Sequence, residues 1–289
     1  QVAQHLGVSH RVETITPDAA GLFDRLMVYL DDPIGDVSIF PTFLVSELAR
    51  QEVKVALSGD GGDELFGGYE TYVAQNLATG IGFLPASIKN RLLPRIASGI
   101  APRPVKKGLV NKAKRFLEGL QYPENLAHAR WRLFVGPDQL VELLTPGALE
   151  QMELPVTEHI DRLRSQVPSL PDLDQELFVD FKSYLPDNCL VKVDRMSMAT
   201  SLEVRVPLLD NQVIETAFRL PPNLKVDGRQ TKVLLKEVAA RHLPRESVYR
   251  PKEGFSMPLK DWLRHERRSR MESLREPSLL ERQGLFESS

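Results

Sequence analysis

Apolar positions change period along this chain, and the change divides it in two. RVETIT (11–16) alternates and is β-branched, which predicts a strand. PDAAGLFDRLMVYL (17–30) carries apolar residues at helical spacing with Pro17 where a helix can begin, and PTFLVSELARQE (41–52) repeats that arrangement. VKVALSG (53–59) then reads as a buried strand. Strand, helix, helix, strand at these lengths predicts a parallel sheet with crossover helices, an α/β part over 1–80. Beyond residue 81 the strand signal nearly vanishes. PENLAHARWRLFV (123–135), LDQELFVDFKSYL (173–185), NQVIETAFRL (211–220) and TKVLLKEVAARHL (231–243) predict a mostly helical part over 81–289. GIGFLPASIKNRLLPRIASGIAPRPVKKG (80–108) is the least regular stretch and reads as a mobile connection.

With 42% hydrophobic and 26% charged residues over 289 positions, the chain has the makings of a large core, and collagen-like or disordered readings drop out. No run approaches the roughly 18 apolar residues of a membrane span. The opening QVAQHLGVSH lacks the basic end and apolar segment of a signal peptide, so a cytoplasmic location is expected. It also lacks an initiator methionine and reads as the tail of an amphipathic helix, which suggests a fragment. A formal net charge of −2 gives no global field for nucleic acid. The local basic run RPVKKGLVNKAKR (103–115) reads as a solvated helix face, and neither nucleic acid nor a membrane is expected as a partner. The lone Cys189, in apolar-flanked NCLVKV, reads as a buried structural thiol in a reducing compartment. The histidines are scattered without metal-ligand spacing, so no zinc site is assigned.

The chemistry concentrates in VALSGDGGDELFGGYE (55–70), where acids and glycines follow an apolar run. A phosphate-cradling P-loop needs a lysine after its last glycine, but Gly62-x-x-x-x-Gly67 is followed by Gly68 and Tyr69. The dinucleotide pattern begins with Gly59 and Gly61 and meets Glu64 where its third glycine belongs. A calcium loop from Asp60 would need Asp or Asn at Glu64 and glycine at Leu65. What survives is a strand, a glycine turn and a helix whose first turn holds Asp63 and Glu64. Complementing the helix dipole, worth about 0.3–1 kcal/mol, explains those two acids but neither Asp60 nor the glycines. In an open parallel sheet, ligands bind beyond the carboxyl ends of the strands, and a carboxylate can face a triphosphate when a hard cation such as Mg²⁺ lies between them. The stretch reads as a metal–nucleotide site.

LSGDGGDELFGGY (57–69), VKVDRMSMATSLEVRVPLLD (191–210) and RPKEGFSMPLKDW (250–262) together resemble the synthetase domain of glutamine-dependent asparagine synthetases. The resemblance implies one such domain over 1–289, truncated at both ends, with an adenine nucleotide alpha hydrolase-like fold of the ATP pyrophosphatase type. The family's upstream glutaminase domain and its S-G-G-x-D-S pyrophosphate loop are absent from the sequence, which leaves the activity of this piece alone open. ATP and Mg²⁺ are the implied cofactors. The implied reaction makes asparagine from aspartate through a β-aspartyl-AMP intermediate, with ammonia released from glutamine by the missing domain. A homodimer is possible.

Residue by residue, Ser58, Gly59, Gly61 and Gly62 match the nucleotide-lining turn, Asp63 the magnesium ligand, and Asp60 the acidic position linked to forming the adenylate. Lys252 matches a lysine that stabilises charge on the transferring phosphate. Glu203 and Arg205, two apart on an extended segment, point the same way, and a catalytic role for Glu203 and a structural ion pair both stay open. Asp194 and Arg195 read as supporting or structural. Two other readings also remain: a relative that amidates another carboxylate or closes a ring as β-lactam synthetases do, and a non-catalytic nucleotide-binding module. The ring-closing enzymes carry a tyrosine where this chain has Asp60, which favours amidation.

Overall fold

A computed structural model describes residues 1–14, 19–32, 34–80, 95, 109–120, 124–133, 135–152, 156–250 and 268–287. The expected connection at 80–108 and the RPKEGFS segment with Lys252 lie almost wholly outside those residues. The first part carries helices α1 (Val2–Leu6), α2 (Ala19–Met27) and α3 (Ile39–Arg50), then strand β1 (Val55–Leu57), α4 (Gly62–Phe66) and α5 (Glu70–Gly80). Further along come α6 (Leu109–Gly119), α7 (Glu124–Arg132), α8 (Pro137–Leu143), α9 (Pro146–Glu150), α10 (Val156–Arg164), α11 (Asp172–Lys182) and α12 (Val191–Met198). Strand β2 (Glu203–Arg205), α13 (Asn211–Arg219), the hairpin β3 (Val226–Asp227) and β4 (Gln230–Thr231), and α14 (Val233–Ala239) follow. No helix among the described residues is long and apolar enough to cross a membrane.

The six segments that periodicity marks as helical fall on α2, α3, α7, α11, α13 and α14, and several helix ends have local causes. The Asp210 carboxylate accepts from the Gln212 N–H and starts α13. A π-helical turn, Leu185–Leu190, joins α11 to α12 around Pro186, whose missing N–H cannot continue an α ladder. At the far end of α12, Ser201 turns left-handed (φ 59°) while the N–H of Leu202 returns to Ser197 O, which redirects the chain into β2.

The sheet departs from expectation in three ways. Residues 11–14 form no strand despite their alternation: Arg11 reaches sideways to Glu52 and Gln51, and no neighbouring strand among the described residues offers a ladder. β1 instead pairs in parallel with β2, with Val55 opposite Glu203, Ala56 opposite Val204 and Leu57 opposite Arg205. The strand partner thus comes from the part that periodicity marks as helical, where the hairpin β3–β4 also lies. Finally, β1 is not buried: Val55 and Leu57 are 41% and 74% exposed, and only Ala56 between them is partly covered. The result is a mixed α/β structure with a small parallel sheet.

Among the described residues, four apolar clusters hold these elements. Leu26, Ile39, Phe40, Phe43 and Met196 join α2, α3 and α12. Leu65, Phe66 and Ala217, with Phe181, Leu209 and Leu235 around them, fix the short α4 against α11, α13 and α14. Tyr72, Leu173, Leu177 and Val226 bind α5 and α11 to the hairpin, while Ala129, Ile160, Leu163 and Val179 join α7, α10 and α11. Burying a large aliphatic or aromatic side chain contributes roughly 1.5–3 kcal/mol, so α4 is held by neighbours rather than by its own five residues.

Candidate active site

The chain leaves the carboxyl end of β1 at Ser58, whose N–H donates to Arg205 O at 2.9 Å and so extends the β1–β2 ladder by one bond. The Ser58 hydroxyl donates to Asp60, and the turn closes at Gly61, which is left-handed at φ 80°. A side chain there would be strained and would also strike Leu209, with a Cβ only 2.3 Å from Cδ2. Ser58, Gly59, Asp60, Gly61, Gly62 and Asp63, all singled out from sequence, therefore lie together at the mouth of the parallel pair. Apolar leucines hold the turn from beneath.

Asp63 does not project alone into this mouth. Lys232, between β4 and α14, places its ammonium 2.9 Å from Asp63 Oδ1, with both side chains 24% exposed. Lys232 is itself left-handed at φ 53°, a conformation that non-glycine residues rarely adopt. Gly68 lies beneath the pair: a Cβ there would sit 1.8 Å from Asp63 Oδ1 and 2.2 Å from Lys232 Cε. Sequence reasoning missed Lys232, because TKVLLKEVAARHL shows only helical spacing and nothing in it points back to residue 63.

Glu203 and Arg205 point the same way from β2, as expected, and pair with each other at 2.7 Å while both remain more than half exposed. The register places them beside Val55 and Leu57, next to the turn but on the open surface. Arg195 pairs with Asp31, in keeping with a structural role, and Lys252 lies outside the described residues.

Behind the turn is a polar layer that no motif announced. Glu64, 1% exposed, accepts from the Tyr69 hydroxyl at 2.5 Å and lies 3.8 Å from the Cys189 thiol. Burial raises the Glu64 carboxyl above its ordinary range, more than the Tyr69 hydrogen bond lowers it. Burial, followed by the neighbouring Glu64 charge, pushes the Cys189 thiol up to about 11, which suits the buried structural thiol expected from sequence. The Arg132 guanidinium stacks on Tyr69 at 3.8 Å and Tyr184 at 4.5 Å and donates to Asp180 at 2.6 Å. Asp180 also accepts from the Tyr72 hydroxyl at 2.5 Å and lies 3.0 Å from His128 Nε2. Burial works to raise its carboxyl, but the charge of Arg132 and the contact with His128 prevail and hold it well below the usual carboxylate range. Asp36, which accepts from Lys192 at 2.9 Å and Asn188 at 3.2 Å, closes the layer on the α3 side.

Among the described residues no group of three His, Cys, Asp or Glu side chains converges on one point. The donor set at the turn is Asp63 with Asp60 nearby. These are hard oxygen donors of the kind Mg²⁺ takes one or two at a time, completing its octahedron with water and substrate phosphates. In donor type they suit that ion, and Asp63 carries the Lys232 ammonium at 2.9 Å in its place.

The family model for asparagine synthase matches residues 1–289. The chain belongs to the asparagine synthase family. It is 31% identical over 273 residues to asparagine synthetase (glutamine-hydrolysing) 1 of Bacillus subtilis, covering 92% of this chain and 40% of that protein. Asparagine synthetase (glutamine-hydrolysing) 3 of the same organism is 24% identical over 88% of this chain and 35% of its own length. The amidase chyE of Penicillium rubens is 24% identical over 91% of this chain and 41% of its own. The chain thus spans less than half the length of these relatives. No solved structure matches it.

Proposed function

We propose that this chain is the synthetase portion of an enzyme that makes asparagine from aspartate and ATP. In the first step an aspartate carboxylate oxygen attacks the α-phosphorus and pyrophosphate leaves, giving β-aspartyl-AMP. In the second, ammonia attacks the acyl carbon and AMP leaves. The ammonia is released from glutamine by a domain outside this chain. The observation that carries this reading is a glycine turn with Asp60 and Asp63, set at the carboxyl end of a parallel strand, in a chain that the family matches from end to end.

The chain's own groups suit the charge problem of that chemistry. Attack of one anion on another needs fixed positive potential, and a preorganised site supplies it without reorganising during the step. The turn around Gly59, Gly61 and Gly62 lets the backbone approach a nucleotide closely. Asp63 would hold Mg²⁺, which when bound would neutralise phosphate charge and orient the leaving pyrophosphate. Lys232, held at Asp63, would balance the charge of the same phosphates, and Lys252 is assigned the transferring phosphate through its motif. Asp60, held by the Ser58 hydroxyl, is assigned to the reacting carboxylate. The adenine nucleotide alpha hydrolase-like fold belongs to this reading, as does the cytoplasm, with which the lone buried Cys189 thiol accords.

The test is aspartate-dependent exchange of pyrophosphate into ATP by the intact protein that contains this chain. Exchange with aspartate and Mg²⁺ supports the proposal, and no exchange with aspartate overturns it. Because one relative carries an amidase name, a panel of other carboxylic acids belongs in the same assay. Lys252→Ala should slow turnover far more than it weakens ATP binding, and an effect confined to affinity would remove Lys252 from the reacting centre.

A further inference from the structure

Lys225 is fully buried, 0% exposed, yet it lies in the short turn that leads into β3 and not in a helix core. Its ammonium donates to Asp174 Oδ1 of α11 at 2.6 Å and lies 5.5 Å from the Phe218 ring centre. Removing a lysine from water is unfavourable unless a partner of good geometry compensates, so its side chain is tightly located. The main chain of the same residue faces the site. Its carbonyl accepts the N–H of Val233 at 3.1 Å, the residue directly after Lys232, and its own N–H donates to Pro222 O. One rung further in, Val226 pairs with Thr231, the residue directly before Lys232.

Lys232 is therefore gripped on both sides by backbone bonds that lead to Lys225 and its neighbour, and that grip holds it at φ 53°. The glycines after α4 complete the contact. Gly67, at φ 67°, lies so near the hairpin that a Cβ would come within 2.5 Å of Val226 Cγ2 and 3.6 Å of the Lys225 backbone. Gly68 lies beneath Asp63 and Lys232. The turn that carries Asp63 and the hairpin that carries Lys232 thus share one footing.

From this geometry we propose that Lys225 is a positioning residue: anchored on Asp174, it fixes the backbone of Lys232 and so sets the distance from the Lys232 ammonium to Asp63. The catalytic meaning of that distance rests on the function proposed above, but the placement itself can be read without any reaction. The pair does more than stabilise, since an apolar pair of similar volume would fill the same space and still lose the anchor.

The test uses Lys225→Met/Asp174→Leu, which removes both charges together and so avoids a stranded buried ion. In the intact protein, Lys232 acetylation by an amine-reactive ester is followed by mass spectrometry, with Lys192 as a partly buried reference and thermal unfolding as a check on the fold. The expected result is about threefold or faster labelling of Lys232 with Lys192 unchanged, as local opening predicts. Unchanged labelling of Lys232 in the folded variant overturns the proposal. Should the variant not fold, hydrogen exchange in the unsubstituted protein decides: a Val233 amide as protected as core amides of α11 supports the anchor, and exchange as fast as exposed turns overturns it. If the protein shows aspartate-dependent exchange, the effect of the double substitution on that rate should vanish in a Lys232→Ala background, whereas independent losses that add would overturn the proposal.

Discussion

The Asp63 carboxylate and the Lys232 ammonium meet at 2.9 Å across Gly68, joining the turn after β1 to the start of α14. A cation bound at Asp63 has to share or displace that lysine, so carboxylate and ammonium form one charge-balanced unit. Asp63→Asn should preserve the fold, changing stability by about 1 kcal/mol or less, since an ion pair of this exposure contributes little. Under the proposed function it should reduce Mg²⁺-dependent pyrophosphate exchange on the order of 100-fold or more. Near wild-type exchange at saturating Mg²⁺ would remove Asp63 from the metal site.

Gly68→Ala tests the same contact sterically. Its Cβ would collide with both members of the pair, so at least one of the two side chains must swing aside and the ion pair must open. A loss of about 1 kcal/mol is expected from opening the pair, measured by urea unfolding, and under the proposed function a lowered affinity for the nucleotide. Wild-type values on both counts would show that the turn yields more easily than its packing implies.

Glu64 carries a sign that mutagenesis can read. Its folded carboxyl is raised above the ordinary value of 4.5, so folding holds its proton more tightly than the unfolded chain does. Its contribution to stability is therefore highest below pH 4.5 and falls as pH rises through the folded value. Glu64→Gln, which keeps an acceptor for Tyr69, should gain in melting temperature relative to wild type as pH moves from acid to neutral. A difference independent of pH would mean that Glu64 does not titrate in the fold.

Asp180 runs the other way. Its carboxyl is held below the ordinary 3.8, so its contribution is fully present above that pH and is lost as pH falls through the folded value. Asp180→Asn strands the Arg132 charge among Tyr69, Tyr72 and Tyr184 and should cost about 3–5 kcal/mol at neutral pH. The gap between variant and wild type should narrow as pH drops below 3.8 in equilibrium urea unfolding. A constant gap would assign the loss to packing alone.

Much of this was legible in the sequence, and what was not has physical causes. Helical periodicity found α2, α3, α7, α11 and α13 because their apolar stripes are long enough to average over single residues. The acids and glycines of 58–63 were legible because a turn of that composition has few other uses. RVET at 11–14 misled because alternation reports only a capacity to pair, and pairing needs a neighbour. EVR at 203–205 could not be read as β1's partner because three residues are too few for a period. Lys232, Lys225 and the Arg132–Asp180 pair escaped for one shared reason: their meaning lies in partners remote along the chain, and a charged residue in a helix or turn looks alike whether it meets water or a buried carboxylate.

The parallel pairing of β1 with β2 governs more than where the turn points. A ladder between strands so far apart in sequence forms only after a long loop has closed, and such contacts are slow to form because closure entropy is spent before the contacts repay it. The acidic turn therefore acquires its shape late, once the segment through Arg205 has been made and has collapsed around it. A peptide of residues 55–70 would contain every side chain of the turn and keep none of its geometry.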